Sequence, residues 1–270
     1  MLGKLLKYEI KAMGRIMLPI YLVLIALSAV FALTMRLTIG KTAVGFLEKF
    51  AIVTLVLFVA AIIAACVMML ILVIQRFYKH LLGTEGYLMF SLPTDTATLI
   101  VSKVISVLIW TGLSTIVAFM SIALSALGAG GIESLKEFLA FFRHPEVLQH
   151  LNEISGVLIL TVLMIIAGTA ASIVRIYAGI SIGHQFNDHR ILFSIVALIA
   201  FNIIGTILST LFSALGFYTG VFESFSRIFE ADTVQGICIA QAGMIGFLLF
   251  QTALFGILTW VLLDRRLNLE

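Results

Sequence analysis

Residues 50–74 read FAIVTLVLFVAAIIAACVMMLILVI, a run of 25 positions without Asp, Glu, Lys, Arg or His. A helix needs about 20 consecutive apolar residues to cross a hydrocarbon core about 30 Å thick, so this run is long enough. Lipid satisfies no backbone N–H or C=O, which leaves helix as the conformation; a barrel strand would alternate over about ten residues. Comparable runs occupy residues 17–35, 100–127, 155–178, 191–215 and 239–263. The expected fold is all-α: a polytopic membrane protein with six transmembrane helices, forming one transmembrane domain over residues 1–270.

Composition agrees. The chain is 61% hydrophobic and 11% charged, against about 45–50% and about 25% in soluble domains. A net charge of +3 without a dense Lys/Arg block excludes nucleic acid as the expected partner. Cys66 and Cys238 have no metal or disulfide pattern around them and read as small buried apolar residues. The run at 17–35 exceeds the roughly 7–15 residues of a signal-peptide core, so it reads as a retained first span.

Orientation follows the basic residues. With the N-terminus inside, 11 Lys and Arg fall on inner flanks, Arg175 and Lys103 among them, and 6 on outer flanks. That asymmetry predicts both ends in the cytoplasm. Lys4, Lys7, Lys11 and Arg15 share one helical face of residues 1–16, with Leu2, Leu5, Leu6, Met13, Ile16 and Met17 mostly opposite. This predicts a separate interfacial helix, basic side toward anionic headgroups and apolar side in lipid. Pro19 falls near the start of the first span, where its missing N–H costs little. The outer loops, 128–154 and 216–238, carry apolar residues at helical spacing and read as short amphipathic helices, with Pro145 interrupting the first.

The most informative inner segment is 75–99, between spans two and three, with residues 75–103 reading QRFYKHLLGTEGYLMFSLPTDTATLIVSK. Gly83 ends the helix leaving the membrane. Thr84 can cap a short helix, and Glu85 then lies in its first turn, where the helix dipole favours a carboxylate. Tyr87, Leu88, Phe90 and Leu92 give it an apolar surface, Pro93 stops it, and Thr94 or Asp95 caps the third span. The result is a docking knob for a partner or a stub against the membrane.

This segment resembles the coupling-helix region of permease subunits of ATP-binding-cassette exporters of the six-span class, the type-2 permeases. The resemblance lies in an acidic residue, a glycine, a hydrophobic stretch and Leu-Pro, here Glu85-Gly86-Tyr87-Leu88-Met89-Phe90-Ser91-Leu92-Pro93. The opening LGKLLKYEIKAMGRIMLPIY, residues 2–21, resembles the elbow helix of such permeases, particularly short ones from Gram-positive bacteria. Helices in the last outer loop are a further shared trait. The resemblance implies a permease homodimer or heterodimer in a bacterial plasma membrane, driven by two separate ATPase subunits that bind ATP and Mg, with no cofactor on this chain. It implies ATPase contacts at Lys79, Thr84, Glu85, Gly86, Tyr87, Leu88 and Pro93, and a second inner contact at His184, Gln185 and Asp188. The chain has no phosphate-binding glycine pattern ending in Gly-Lys-Ser/Thr, so it is not expected to be an enzyme itself.

Other signals carry less. Gly179-Ile180-Ser181-Ile182-Gly183 matches a serine-hydrolase pattern, but that pattern needs a strand–turn–helix setting; Gly179 and Gly183 read better as a helix-packing face. His184, Asp188 and His189 set no metal geometry. Deep polar residues read as neutral, Asn202 and Gln251 above all, with Arg175 close enough to the inner end of span four to reach the interface. An uncharged interior disfavours a proton- or sodium-driven carrier. The competing expectation is a scaffold or sensor subunit that docks a cytoplasmic partner and moves no solute.

Overall fold

The computed structural model of the chain describes residues 2–38, 45–82, 95–143, 145–186, 189–218 and 233–265. Those residues form six long helices: α1 (Leu2–Thr38), α2 (Gly45–Phe77, running into a π-turn at Tyr78–Leu82), α3 (Thr96–Arg143), α4 (Pro145–Gly183), α5 (Arg190–Tyr218) and α6 (Thr233–Arg265). Each contains a stretch long and apolar enough to cross a membrane. The chain is an all-α, multi-pass membrane protein with six candidate spans, and no strand occurs among the described residues.

The helices outrun the apolar segments. α1 has 37 residues, about 55 Å at 1.5 Å per residue, nearly twice the hydrocarbon thickness. The expected interfacial helix at 1–16 is therefore not a separate element but the first turns of α1. Lys4, Lys7, Lys11 and Arg15 are exposed as expected, but Met13 and Met17 are buried in the protein, not left for lipid. Gly14 explains this: a Cβ there would lie 3.0 Å from the Trp110 ring, so its absence lets α1 settle on α3. Pro19 lies inside α1 and removes one N–H from its ladder. The expected outer helix at 132–143 is likewise the continuation of α3, and Pro145 opens α4, at the position where its missing N–H has no intrahelical partner to lose. Of the other expected outer helix, 217–232, Phe217 and Tyr218 end α5 and residues 219–232 lie outside the described residues. Cys66 is exposed and Cys238 half-buried, contrary to the expectation that both are buried; an apolar thiol facing lipid costs nothing to expose.

The chain divides into two compact units, Met1–Val73 with Ile105–Gln149, and Ile74–Val104 with His150–Glu270. In the first, α1 and α2 run antiparallel, with Phe31 stacked on Phe58 at 6.4 Å between centroids and the Thr34 and Thr54 hydroxyls 3.3 Å apart. α1 and α3 run parallel. The Tyr21 hydroxyl meets the Ser114 hydroxyl and the Trp110 carbonyl, and Gly128 lies directly on the Ala32 backbone.

In the second unit α4 is the central helix. Against α5 it runs antiparallel, and each step of four residues down one helix is a step of four up the other: Gly183 meets Ser194, Gly179 meets Leu198, Arg175 meets Asn202. Against α6 it runs parallel with a seven-residue step: Thr161 accepts a hydrogen bond from Gln241 at 2.8 Å, Gly168 faces Leu248, and Arg175 lies over the Phe255 ring. A step of seven keeps two helices in register along a left-handed seam. Val174, Ala178 and Phe255 form the buried centre, with Val104, Phe201 and Leu258 packed against it. Thr96 at the start of α3 donates to Asp264 at the end of α6, 3.1 Å away.

Candidate functional site

Gly183, Gly179 and Arg175 stand on one row of α4. A Cβ on Gly179 would lie 2.7 Å from the Leu198 side chain, and one on Gly183 would lie 2.5 Å from the Ser194 nitrogen and 2.7 Å from the Arg190 oxygen. The two glycines thus let α5 lie against α4, as their spacing predicted. Ser181 is buried within the α4 helix, so the hydrolase setting is absent there.

One step further along the row, the close approach delivers Asn202 to Arg175. Arg175 Nη1 donates to Asn202 Oδ1 at 3.0 Å, and Nη2 donates to Gln251 Oε1 at 2.7 Å. Asn202 Nδ2 donates to the Leu198 carbonyl at 2.9 Å, which turns its own oxygen toward the guanidinium. The Phe255 ring lies 5.7 Å from Cζ, within range of a cation–π contact. The Nε–H of Arg175 is buried and meets no acceptor among the described residues.

This corrects the expected uncharged interior. Arg175 does not reach for the interface; α5 and α6 hold its side chain inside. Asn202 is about 18 Å along α5 from Arg190 and Gln251 about 20 Å along α6 from Asp264, so the cluster lies well inside the apolar candidate spans and not at their charged ends. No Asp or Glu occurs in residues 155–183, 190–218 or 233–263, so these helices give the guanidinium no counterion. A cation costs about 2.5–3.5 kcal/mol at mid-membrane on insertion scales, and such residues mark function by default. Correcting Arg175 leaves the inner-flank excess of positive charge in place but removes the uncharged interior as an objection to an ion-coupled carrier. The cluster was missed because its members are far apart in sequence; the glycine row ending at Arg175 was the signal that pointed to it.

The many hydroxyls in the spans are mostly absorbed locally. Thr34, Ser102, Ser125, Thr169, Ser172 and Thr259 each donate to a carbonyl three or four residues back on their own helix. They serve the backbone and offer a ligand little.

On the expected inner side, Lys79 is exposed in the π-turn that ends α2. Thr84, Glu85, Gly86, Tyr87, Leu88 and Pro93 lie outside the described residues. Asp95 precedes α3, its backbone carbonyl accepting from the Thr98 N–H at 2.9 Å, and Thr94 lies outside the described residues. His184 is half-buried with its ring edge-on to Tyr78, 5.9 Å between centroids; Gln185 is exposed, and Asp188 lies outside the described residues. His189 caps α5 through its carbonyl, with a φ of 58°.

Burial and the positive charge of Arg190 hold His184 below its ordinary pKa of 6.5. The folded state thus favours the neutral ring, and the unfolded chain binds the proton first as pH falls. Stability is therefore full above pH 6.5 and declines as pH drops through it toward the lower folded value. Thermal melts of the detergent-solubilised protein across this window are expected to show that decline, and His184→Gln is expected to flatten it. An unchanged slope in His184→Gln would assign the decline to other groups.

Compared with known protein families, curated proteins and solved structures, the chain shows no match.

Proposed function

We propose that this chain is the membrane-spanning permease subunit of an ATP-binding-cassette exporter in a bacterial plasma membrane. It works as a homodimer or heterodimer, and separate ATPase subunits supply the energy. The observation that carries this reading is the inner segment 75–99, with its acidic residue, glycine, apolar stretch and Leu-Pro, in a chain of six spans. Closure of the ATPases on ATP pushes the segment, and the push enters α2 and α3 together. α2 and α3 are the two helices that flank this segment in the chain. Alternating access follows if that push changes how the spans meet.

The test is co-purification with the ATP-binding subunit encoded beside this chain, wild type against the double variant Glu85→Arg with Tyr87→Ala. A stable complex is expected for the wild type, and at least a tenfold drop, about 1.4 kcal/mol, in the variant with the helical fold intact. Failure of the wild type to hold any ATPase would overturn the proposal and favour a non-transporting scaffold.

A further inference from the structure

We infer that Arg175, Asn202 and Gln251 form a binding site for the anionic head group of an amphipathic molecule, entered from the lipid side along α5. This deepens the exporter reading by naming the substrate class and rests on it for transport, though not for binding.

Three observations converge on this site. First, the guanidinium is held in place by two amides, at 3.0 Å and 2.7 Å. Amides orient a cation without neutralising it, so the full charge remains for a ligand. Second, its buried Nε–H has no acceptor among the described residues, an unmet donor next to two that are already used. Third, the site is closed on one edge and open on the other. Gln251 is buried and Asn202 exposed, with Ile203 beside it and Ile199 one turn away, both more than half exposed. An anionic head reaching Arg175 would therefore lay its apolar tail on the α5 surface. A second copy of this chain supplies no substitute, because none of the six apolar runs contains an acidic residue. A carboxylate or phosphate supplied by a ligand is the counterion that the apolar spans of the three helices lack.

The experiment uses the full chain in phosphatidylcholine nanodiscs without any ATPase, so it reads binding whether or not the exporter assignment holds. The probes are a doxyl-labelled stearate, at a pH where it is ionised, and its uncharged methyl ester; the readout is the motionally restricted fraction. The acid is expected to be held at least about tenfold more strongly than the ester. Arg175→Gln is expected to erase that difference, and Arg175→Lys, with charge but no fork, to retain part of it. Should Arg175→Gln fail to fold, Asn202→Asp decides: a built-in carboxylate beside the guanidinium is expected to reduce binding of the acid to the level of the ester. Equal retention of acid and ester by the wild type, or undiminished preference in either Arg175→Gln or Asn202→Asp, would overturn the inference. Inorganic phosphate separates the two sources of an anion. It is expected to compete weakly, and displacement of the stearate at matched concentration would mean a site for free anions, overturning the amphipathic assignment.

Discussion

Gly183→Val lowers the stability of the folded protein by about 3 kcal/mol or more, the upper range for forcing atoms into a filled space. A side chain at 183 would meet the Ser194 hydroxyl first and, with it, two backbone atoms, the Ser194 nitrogen at 2.5 Å and the Arg190 oxygen at 2.7 Å. These two backbone atoms are the ends of a hydrogen bond in the first turn of α5, so no rotamer change relieves the overlap and α5 itself must move. The displacement would then separate Leu198 from Gly179 and Asn202 from Arg175, because one row carries all three contacts. Thermal unfolding in detergent, followed by monodispersity on gel filtration, measures the loss. Gly243→Ala is the control, since a Cβ there meets nothing within 4 Å, and it is expected to melt like the wild type. A Gly183→Val protein that also melts like the wild type would mean that α4 and α5 do not need this close approach.

The same row marks how far the sequence could be read. Six apolar runs located the spans because lipid demands apolar length, a requirement visible without any partner helix. Those runs did not locate helix ends, because a helix stays hydrogen-bonded after it leaves the hydrocarbon; α1 therefore begins at Leu2 and not at 17, and α3 continues to Arg143. Gly179 and Gly183 were legible as a packing face because small residues four apart have few other uses in a span. Arg175 was misplaced because its flank position was read along one helix. Its surroundings depend on the registers of α5 and α6, 27 and 76 residues away. The burial of Met13 and Met17 was hidden for a similar reason, since an amphipathic stripe does not say whether lipid or protein will cover it. The proposed coupling segment, 75–99, rests on the resemblance at Glu85–Pro93, and the ATPase complex tests it.

Arg175 gives the second large effect, and its sign is the informative part. If the arginine served the fold, Arg175→Leu would destabilise the protein. Here the cation has no counterion among its helices, so Arg175→Leu is expected to leave stability unchanged or raise it, by up to about 3 kcal/mol, the insertion cost of a mid-membrane charge. The amides of Asn202 and Gln251 then remain as neutral groups able to pair with each other. With the arginine present, Asn202→Leu takes away the acceptor of a hydrogen bond from a charged donor and is expected to cost about 1.5–3 kcal/mol. With leucine already at 175, the same change removes only a stray polar group and costs little. The two substitutions are therefore strongly non-additive, with a coupling of about 2 kcal/mol in a double-mutant cycle read from thermal or denaturant unfolding in detergent. Additive effects would show that Arg175 and Asn202 do not act together. A destabilised Arg175→Leu would make the arginine part of the scaffold and remove the energetic reason for expecting an anion there. The predicted pattern, a chain more stable without the residue that defines its site, is the one expected when a charge is kept in the membrane for a ligand and not for the fold.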